Sequence, residues 1–114
     1  MRWIGDDCAV VRPGGALQVT SVDVMVEGTH FTLATAAPGD IGRRALAGAL
    51  SDIAAMGAEP GEAYLAIVIP PPVDDEAVVG LHVGMERLAE ETQTTIAGGD
   101  ITRGPALSIA VTVV

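Results

Sequence analysis

The chain has 114 residues, 49% of them apolar and 3% aromatic, which suits one small domain with an aliphatic core and is too apolar for a disordered chain. Fifteen acidic residues against six basic ones give a net charge of −9, and all six basic residues are arginines. The acidic balance disfavours nucleic-acid binding, and the absence of lysine excludes a Walker-type phosphate loop and Schiff-base chemistry. Cation binding fits this composition better.

Two short strands are predicted before the first helix. Residues 8–11 are apolar and are followed by a Pro-Gly-Gly turn, and residues 17–24 form the second strand. Because side chains alternate along a strand, Ser21 and Asp23 project from the same face near its carboxyl end.

The first helix is predicted over residues 38–56, where glycine and proline follow and end it. A row of small side chains along this helix ends in Asp52, so another segment of backbone can approach that carboxylate. An aspartate on the inner side of a helix is costly unless it is paired, hydrogen-bonded or bound to a cation.

The second half predicts a strand, a helix and two further strands. Residues 63–69 are almost wholly apolar and predict a strand buried on both faces. Three acidic residues at 74–76 favour the start of the second helix. A short strand over residues 94–97 ends before a Gly-Gly-Asp sequence, residues 102–105 predict a turn, and residues 106–114 alternate as the final strand.

The predicted order is ββαβαββ, an α+β fold in which a mixed, four-stranded-type sheet carries two helices on one face. We expect residues 1–114 to form a single domain. The opposite face of the sheet is apolar, and nothing in the chain is left to cover it. This exposed face predicts contact with a second copy or with a further domain.

The lone cysteine, Cys8, excludes an internal disulfide and a metal site built on several thiolates. The sequence starts without the apolar core of a signal peptide, and no apolar run reaches the length of a membrane span. We therefore expect a cytoplasmic protein.

Four aspartates lie at the ends of predicted elements and not on the solvent-exposed faces of helices: Asp7, Asp23, Asp52 and Asp100. Oxygen ligands without several cysteines or histidines suit a hard cation, magnesium or calcium, and not zinc. Each aspartate taken alone is more typical of a turn or a helix cap. Only the set of four favours a cation site.

Four segments also carry a family resemblance, in the same order and spacing over nearly the whole chain. They are GDDCAV at 5–10, DVMVEGTHF at 23–31, AGALSDIAAMGA at 47–58 and GGDITRGP at 98–105. These segments resemble the N-terminal domain of thiamine-monophosphate kinases, which belongs to the superfamily of aminoimidazole ribonucleotide synthetase.

The resemblance implies that ATP transfers its terminal phosphoryl group to thiamine phosphate, giving thiamine diphosphate, in a homodimer whose N-terminal domains pair through their sheet faces. In that family the counterparts of Gly99 and Asp100 contact ATP, and the counterpart of His30 contacts the thiamine substrate. A cluster of magnesium ions is bound by the counterparts of Asp7, Ser21, Asp23, Asp52 and Asp100.

The implied reaction requires neutralisation of phosphate charge and no general base. A phosphate monoester with a second pKa of about 6 is already largely deprotonated at neutral pH. No catalytic acid or base is therefore assigned.

The chain departs from the family pattern at several points. Val22 replaces a threonine and points away from Ser21 and Asp23, and Ile101 replaces the second threonine of the Gly-Gly-Asp segment. An alignment places His82 where the family often has an aromatic side chain at the nucleotide, a contact that we do not predict here. The family's C-terminal domain is also absent, so we expect little or no kinase activity from this chain by itself.

Two alternatives stay open on the sequence. The chain is compatible with another ATP-dependent enzyme of the same superfamily, acting in hydrogenase maturation, selenophosphate synthesis or purine synthesis. It is also compatible with a non-catalytic dimerisation or cation-binding module.

Overall fold

The computed structural model describes the backbone of residues 2–4 and all of residues 8–114. Within these ranges, six strands and two α-helices follow the order βββαβαββ. The strands are β1 (Arg2–Ile4), β2 (Ala9–Val11), β3 (Gln18–Val26), β4 (Glu62–Ile69), β5 (Thr95–Arg103) and β6 (Ser108–Val113), and the helices are α1 (Pro38–Ala55) and α2 (Asp75–Thr92).

The strands form one mixed sheet in the order β1-β2-β3-β6-β4-β5. Strands β4 and β5 pair in parallel, and every other neighbouring pair is antiparallel. A parallel pair needs a crossover connection, and α2 supplies it between β4 and β5.

Local sequence explains where the helices begin and end. Pro38 occupies the first turn of α1, where its missing N–H costs nothing, and Gly57 follows the helix with a φ of +70°. At the start of α2 the Asp74 carboxylate accepts a 2.9 Å hydrogen bond from the amide of Ala77, which caps the helix.

The core lies between the two helices and one face of the sheet, here called the inner face. Large aliphatic side chains with at most 2% exposure meet there from α1, α2 and β6; they include Ile41, Leu46, Ile53, Leu81, Ile109 and Val111. Burying one such side chain contributes about 1.5–3 kcal/mol. The inner face therefore supplies most of the stabilisation of this aromatic-poor chain.

Glycine residues let the backbones of the two helices contact one another directly. A Cβ atom at Gly42 would collide with the Leu81 carbonyl oxygen, and one at Gly84 would collide with the Gly39 carbonyl oxygen. An exposed bidentate pair between Arg43 and Glu91, with N–O distances of 3.1 and 2.8 Å, joins the same helices. The hydrogen bonds from Arg43 hold the pKa of the Glu91 carboxyl below its usual value.

In the described part of the chain, no helix covers the opposite, outer face of the sheet. Its cross-strand rows are Gly98, Tyr64, Thr112 and Val22; Asp100, Ala66, Ala110 and Val24; and Thr102, Val68, Ser108 and Val26. Val22 is 65% exposed and Val24 is 46% exposed. The expected uncovered apolar face is therefore present in this structure.

The structure confirms the α+β class and the two helices. Helix α1 ends one residue before its predicted end, and α2 begins within the acidic residues 74–76 that were predicted to start it. The predicted strand order is incomplete, because β1 precedes it, and the sheet has six strands instead of the predicted four-stranded type. The short strand over 94–97 and the turn over 102–105 are also wrong, since β5 continues through its glycines to Arg103 with a register shift opposite Ala63 and Tyr64. These glycines lie inside a strand because β4 supplies backbone partners on one side.

The prediction that β4 is buried on both faces is wrong. Leu65 and Ile67 are buried on the inner face, whereas Tyr64 is 40% exposed on the outer face and is not a core residue. The apolar run reflects a strand that is central in the sheet but covered on one side only. Among the described residues, no helix is both long and apolar enough to cross a membrane.

Gly84→Ala tests the helix contact. We expect the free energy of unfolding to fall by up to about 2 kcal/mol. Overpacking against the Gly39 carbonyl costs about 1–3 kcal/mol, which outweighs the gain of about 1 kcal/mol that alanine brings to a helix. The control is Gly39→Ala, where a new Cβ atom lies 3.7 Å from its nearest neighbour and fits. Urea unfolding of both variants measures the difference, and equal stability of the two would contradict the contact.

Candidate functional site

Strand β3 and helix α1 bring three of the predicted ligands together on the inner face. Ser21 is fully buried, and its hydroxyl donates a 3.3 Å hydrogen bond to Oδ2 of Asp52. Asp23 lies two residues further along β3 and therefore points to the same side as Ser21. We call the group formed by Ser21, Asp23 and Asp52 the β3–α1 site.

Gly48 allows the Asp23 carboxylate to lie directly against helix α1. A Cβ atom at Gly48 would collide with Oδ2 of Asp23, while Oδ1 accepts a 3.1 Å hydrogen bond from the amide of Val24. Gly48 and Asp52 are four residues apart and share one face of the helix. The strand and the helix thus hold the two carboxylates side by side, Asp23 opposite Gly48 and Asp52 opposite Ser21.

Cys8 anchors the main chain at the same place. This thiol is 5% exposed and donates a 3.3 Å hydrogen bond to the backbone carbonyl of Asp52. Asp7 immediately precedes Cys8 but lies outside the described residues, so its predicted role as a metal ligand stays a prediction.

Both carboxylates of the β3–α1 site are half-buried, and neither forms an ion pair with a described residue. Two neighbouring carboxylates that are partly desolvated and unpaired favour a cation. Their oxygens and the Ser21 hydroxyl are the hard donors that suit magnesium.

The donor set is nevertheless small. Across residues 2–4 and 8–114, no group of three or more His, Cys, Asp or Glu side chains is placed to hold a metal ion. Magnesium at a phosphate site commonly uses one or two carboxylates together with water and phosphate oxygens. The β3–α1 site therefore fits a magnesium ion shared with a phosphate ligand, and not an ion enclosed by protein alone.

Asp100 does not join this group within one copy of the chain. It lies on the edge strand β5 in register with Ala66, so its side chain belongs to the exposed outer face. Strands β4 and β6 separate β5 from β3. The expectation that four aspartates share one pocket is thus not met by Asp100 here, because strand alternation places it opposite to Asp23.

Gly99 and Asp100 instead line a groove of about 500 Å³ along β5, together with the α2 residue His82. A Cβ atom at Gly99 would collide with the carbonyl oxygen of Leu65 on β4, so only glycine fits this position. The Gly98-Gly99 backbone is consequently bare, and a ligand in the groove can approach it closely.

His30 lies in the loop between β3 and α1 and is exposed. Its Nδ1 accepts a 3.0 Å hydrogen bond from the amide of Val26, and its carbonyl accepts one of 3.0 Å from Nη1 of Arg44. The loop also closes on itself, because the Gly28 amide donates to the Phe31 carbonyl at 2.8 Å. His30 is therefore held in place although it is exposed.

Two supporting residues were not predicted in these roles. The sequence carried no signal for the role of Arg44, because its contact with the His30 carbonyl depends on how the loop folds back on α1. Gly48 belonged to the predicted row of small residues, and the carboxylate of Asp23 fills the space beside it where a segment of backbone was expected. The sequence signal for this contact was the glycine at position 48, one helical turn before Asp52.

These observations define an α+β domain with a carboxylate pair between a strand and a helix. Residues 5–114 match the family model described as AIR synthase related protein, N-terminal domain, and the chain belongs to this family.

Similar proteins are found among curated sequences and solved structures. The chain is 43% identical over 112 residues to the thiamine-monophosphate kinase of Corynebacterium glutamicum, covering 96% of this chain and 34% of that protein. It superposes on AaThiL complexed with AMPPCP and TMP with a TM-score of 0.91 and 28% identity, covering 96% of this chain and 35% of the other. The resemblance to thiamine-monophosphate kinases is thereby confirmed, and the chain spans about a third of their length.

A hydrogenase maturation protein, HypE in complex with ATP, is more distant. The TM-score is 0.72 at 24% identity, over 95% of this chain and 32% of that one. At this identity the likeness shows a shared fold only.

Proposed function

We propose that the chain is the N-terminal domain of a thiamine-monophosphate kinase, which transfers the γ-phosphoryl group of ATP to thiamine phosphate and releases ADP and thiamine diphosphate. The observation that carries this proposal is the match to such kinases over nearly the whole chain, at 43% identity in one of them. The ligands of the superposed AaThiL complex, AMPPCP and TMP, agree with these two substrates.

The β3–α1 site is the proposed position for magnesium. Asp23 and Asp52 would bind the ion directly, Ser21 would orient Asp52 and add a hydroxyl oxygen, and Asp7 would add a further ligand. Asp100, on the outer face, would bind a separate magnesium ion. When bound, magnesium would neutralise phosphate charge and hold the phosphoryl group in line for transfer. Since the chain carries no lysine for this purpose, carboxylate-held cations are the available means.

The reaction forms a bond between an oxygen of thiamine phosphate and the γ-phosphorus of ATP. The bond between that phosphorus and the oxygen bridging to the β-phosphate breaks, and ADP leaves with the electron pair. The attacking phosphate is already deprotonated near neutral pH, so no residue has to act as a base. The protein contributes by bringing two anions together in the correct orientation.

The groove along β5 is the proposed place of the nucleotide, with Gly99 and Asp100 on ATP. Its bare backbone suits close approach of a ligand, and His30 at the β3–α1 loop is the proposed contact to thiamine phosphate. Relatives are about three times as long as this chain, and the remainder of such an enzyme would complete both pockets. The chain alone is therefore expected to bind ligands but to have little kinase activity. We also propose that the protein is cytoplasmic.

We expect Val22 to have no direct effect on the β3–α1 site. It lies on the outer face, whereas Ser21 and Asp23 lie on the inner face. Any ligand lost with the threonine that thiamine-monophosphate kinases usually carry here would have belonged to the outer face, as does Asp100.

Calorimetric titration with magnesium and AMPPCP tests the proposed site. We expect the chain to bind, and we expect Asp23→Asn together with Asp52→Asn to weaken binding at least tenfold, because the metal loses both carboxylates. The control is Glu59→Gln with Glu90→Gln, which removes two charges from exposed positions. Superimposable curves for the parent and the Asp variant would contradict the metal site, and equal weakening in both variants would reduce the effect to net charge.

We also propose that two copies of the chain pair through their outer faces, where the exposed valines and alanines form a continuous apolar surface. Light scattering should show a dimer. The substitution Val24→Glu, in the middle of this face, should convert the dimer to a monomer, because pairing would bury a glutamate charge without a partner.

The matched control for the dimer is Val79→Glu on α2, where the valine is 61% exposed but lies away from the sheet. It should leave the mass unchanged. A monomeric parent at high concentration, or equal dissociation of both variants, would overturn pairing through the outer face.

A further inference from the structure

His30 is fixed to the end of β3 by a reciprocal pair of hydrogen bonds. Its amide donates to the carbonyl of Val26 at 3.0 Å, and the amide of Val26 donates to Nδ1 of its ring at 3.0 Å. The side chain thus takes the position that a neighbouring strand would otherwise occupy.

The sheet explains why the Val26 amide needs this partner. Successive amides of a strand point to opposite sides, and the Glu27 amide donates to Leu107 on the β6 side at 2.9 Å. The Val26 amide therefore points to the other side of β3, where β2 pairs only with residues 18–20. The His30 ring satisfies a backbone donor at a strand edge where none of the described strands pairs.

This contact determines which ring nitrogen carries the proton. A nitrogen that accepts a hydrogen bond from an N–H has no proton of its own, and a neutral imidazole carries one N–H. The proton of the neutral ring is therefore on Nε2. Because the side chain is exposed, that N–H can meet a ligand.

Arg44 holds the same residue from the helix side. Its Nη1 donates to the His30 carbonyl at 3.0 Å, so α1 fixes the main chain of the loop while Val26 fixes the ring. The two contacts come from different elements, and together they restrain the position and the rotation of the imidazole.

We propose that His30 is held as a hydrogen-bond donor through Nε2, with Arg44 as its positioning residue, so that this position selects a ligand atom that accepts a hydrogen bond. The identification of that ligand as a phosphate monoester, thiamine phosphate, rests on the proposed function. In this arrangement the neutral ring supplies recognition by donation and does not abstract a proton through Nε2.

Nitrogen-15 NMR of the labelled chain at alkaline pH, where the ring is neutral, tests the proposal. His82→Gln leaves His30 as the single histidine. We expect Nδ1 to show the shift of an unprotonated nitrogen and Nε2 that of a protonated one. Arg44→Gln should move both shifts toward the average of two tautomers, Arg44→Lys should restore them, and Arg87→Gln, an exposed arginine on α2, should leave them unchanged.

A protonated Nδ1 or averaged shifts in the parent would overturn the donor assignment, and this spectrum needs no Arg44 variant to fold. Unchanged shifts in a folded Arg44→Gln variant, judged by circular dichroism, would overturn the positioning role. Adding thiamine phosphate should shift the Nε2–H proton resonance. A fixed donor tautomer that does not respond to thiamine phosphate would refute the proposed substrate contact while the tautomer itself stands.

Discussion

The close approach of helix α1 to strand β3 is the constraint on which the rest of the candidate site depends. Asp23 and Asp52 are brought side by side and partly removed from water, with no cationic side chain of a described residue to neutralise them. Like charges in such surroundings repel, and burial adds to that cost. A divalent ion would relieve both penalties at once, and the proposed magnesium site rests on this arrangement.

Glycine makes this geometry possible at two contacts. Gly48 lets the Asp23 carboxylate reach the helix surface, and Gly84 lets α2 lie against the first turn of α1. The first contact shapes the site, and the second fixes the helix that carries Asp52. Rigid backbone contacts of this kind matter for phosphoryl transfer, in which the protein acts mainly by positioning charged groups.

Much of this architecture could be predicted from the sequence because it follows local rules. Periodicity and end signals place both helices, and alternation along β3 puts Ser21 and Asp23 on one face. The β5 strand could not be predicted in full, because a parallel partner, supplied by the fold, overrides the usual role of glycine as a strand end. The same alternation that groups Ser21 with Asp23 places Asp100 on the opposite face. That placement could not be predicted, because it depends on the β4–β5 register.

The contacts that hold His30 in place also could not be predicted from local sequence patterns. The reciprocal bonds between His30 and Val26 depend on the open edge that β2 leaves beside β3, and the contact from Arg44 depends on the path of the loop. These are long-range consequences of topology. They explain why the resemblance could suggest candidate site residues, whereas the structure was needed to show what holds those residues in place.

Crystals of the chain grown with manganese and AMPPCP would test the central claim most directly, because manganese replaces magnesium and scatters anomalously. The account predicts an anomalous peak within coordination distance of carboxylate oxygens from both Asp23 and Asp52, with a phosphate oxygen on the same ion. Nucleotide bound with no peak between these two carboxylates, or with manganese only elsewhere on the chain, would contradict it.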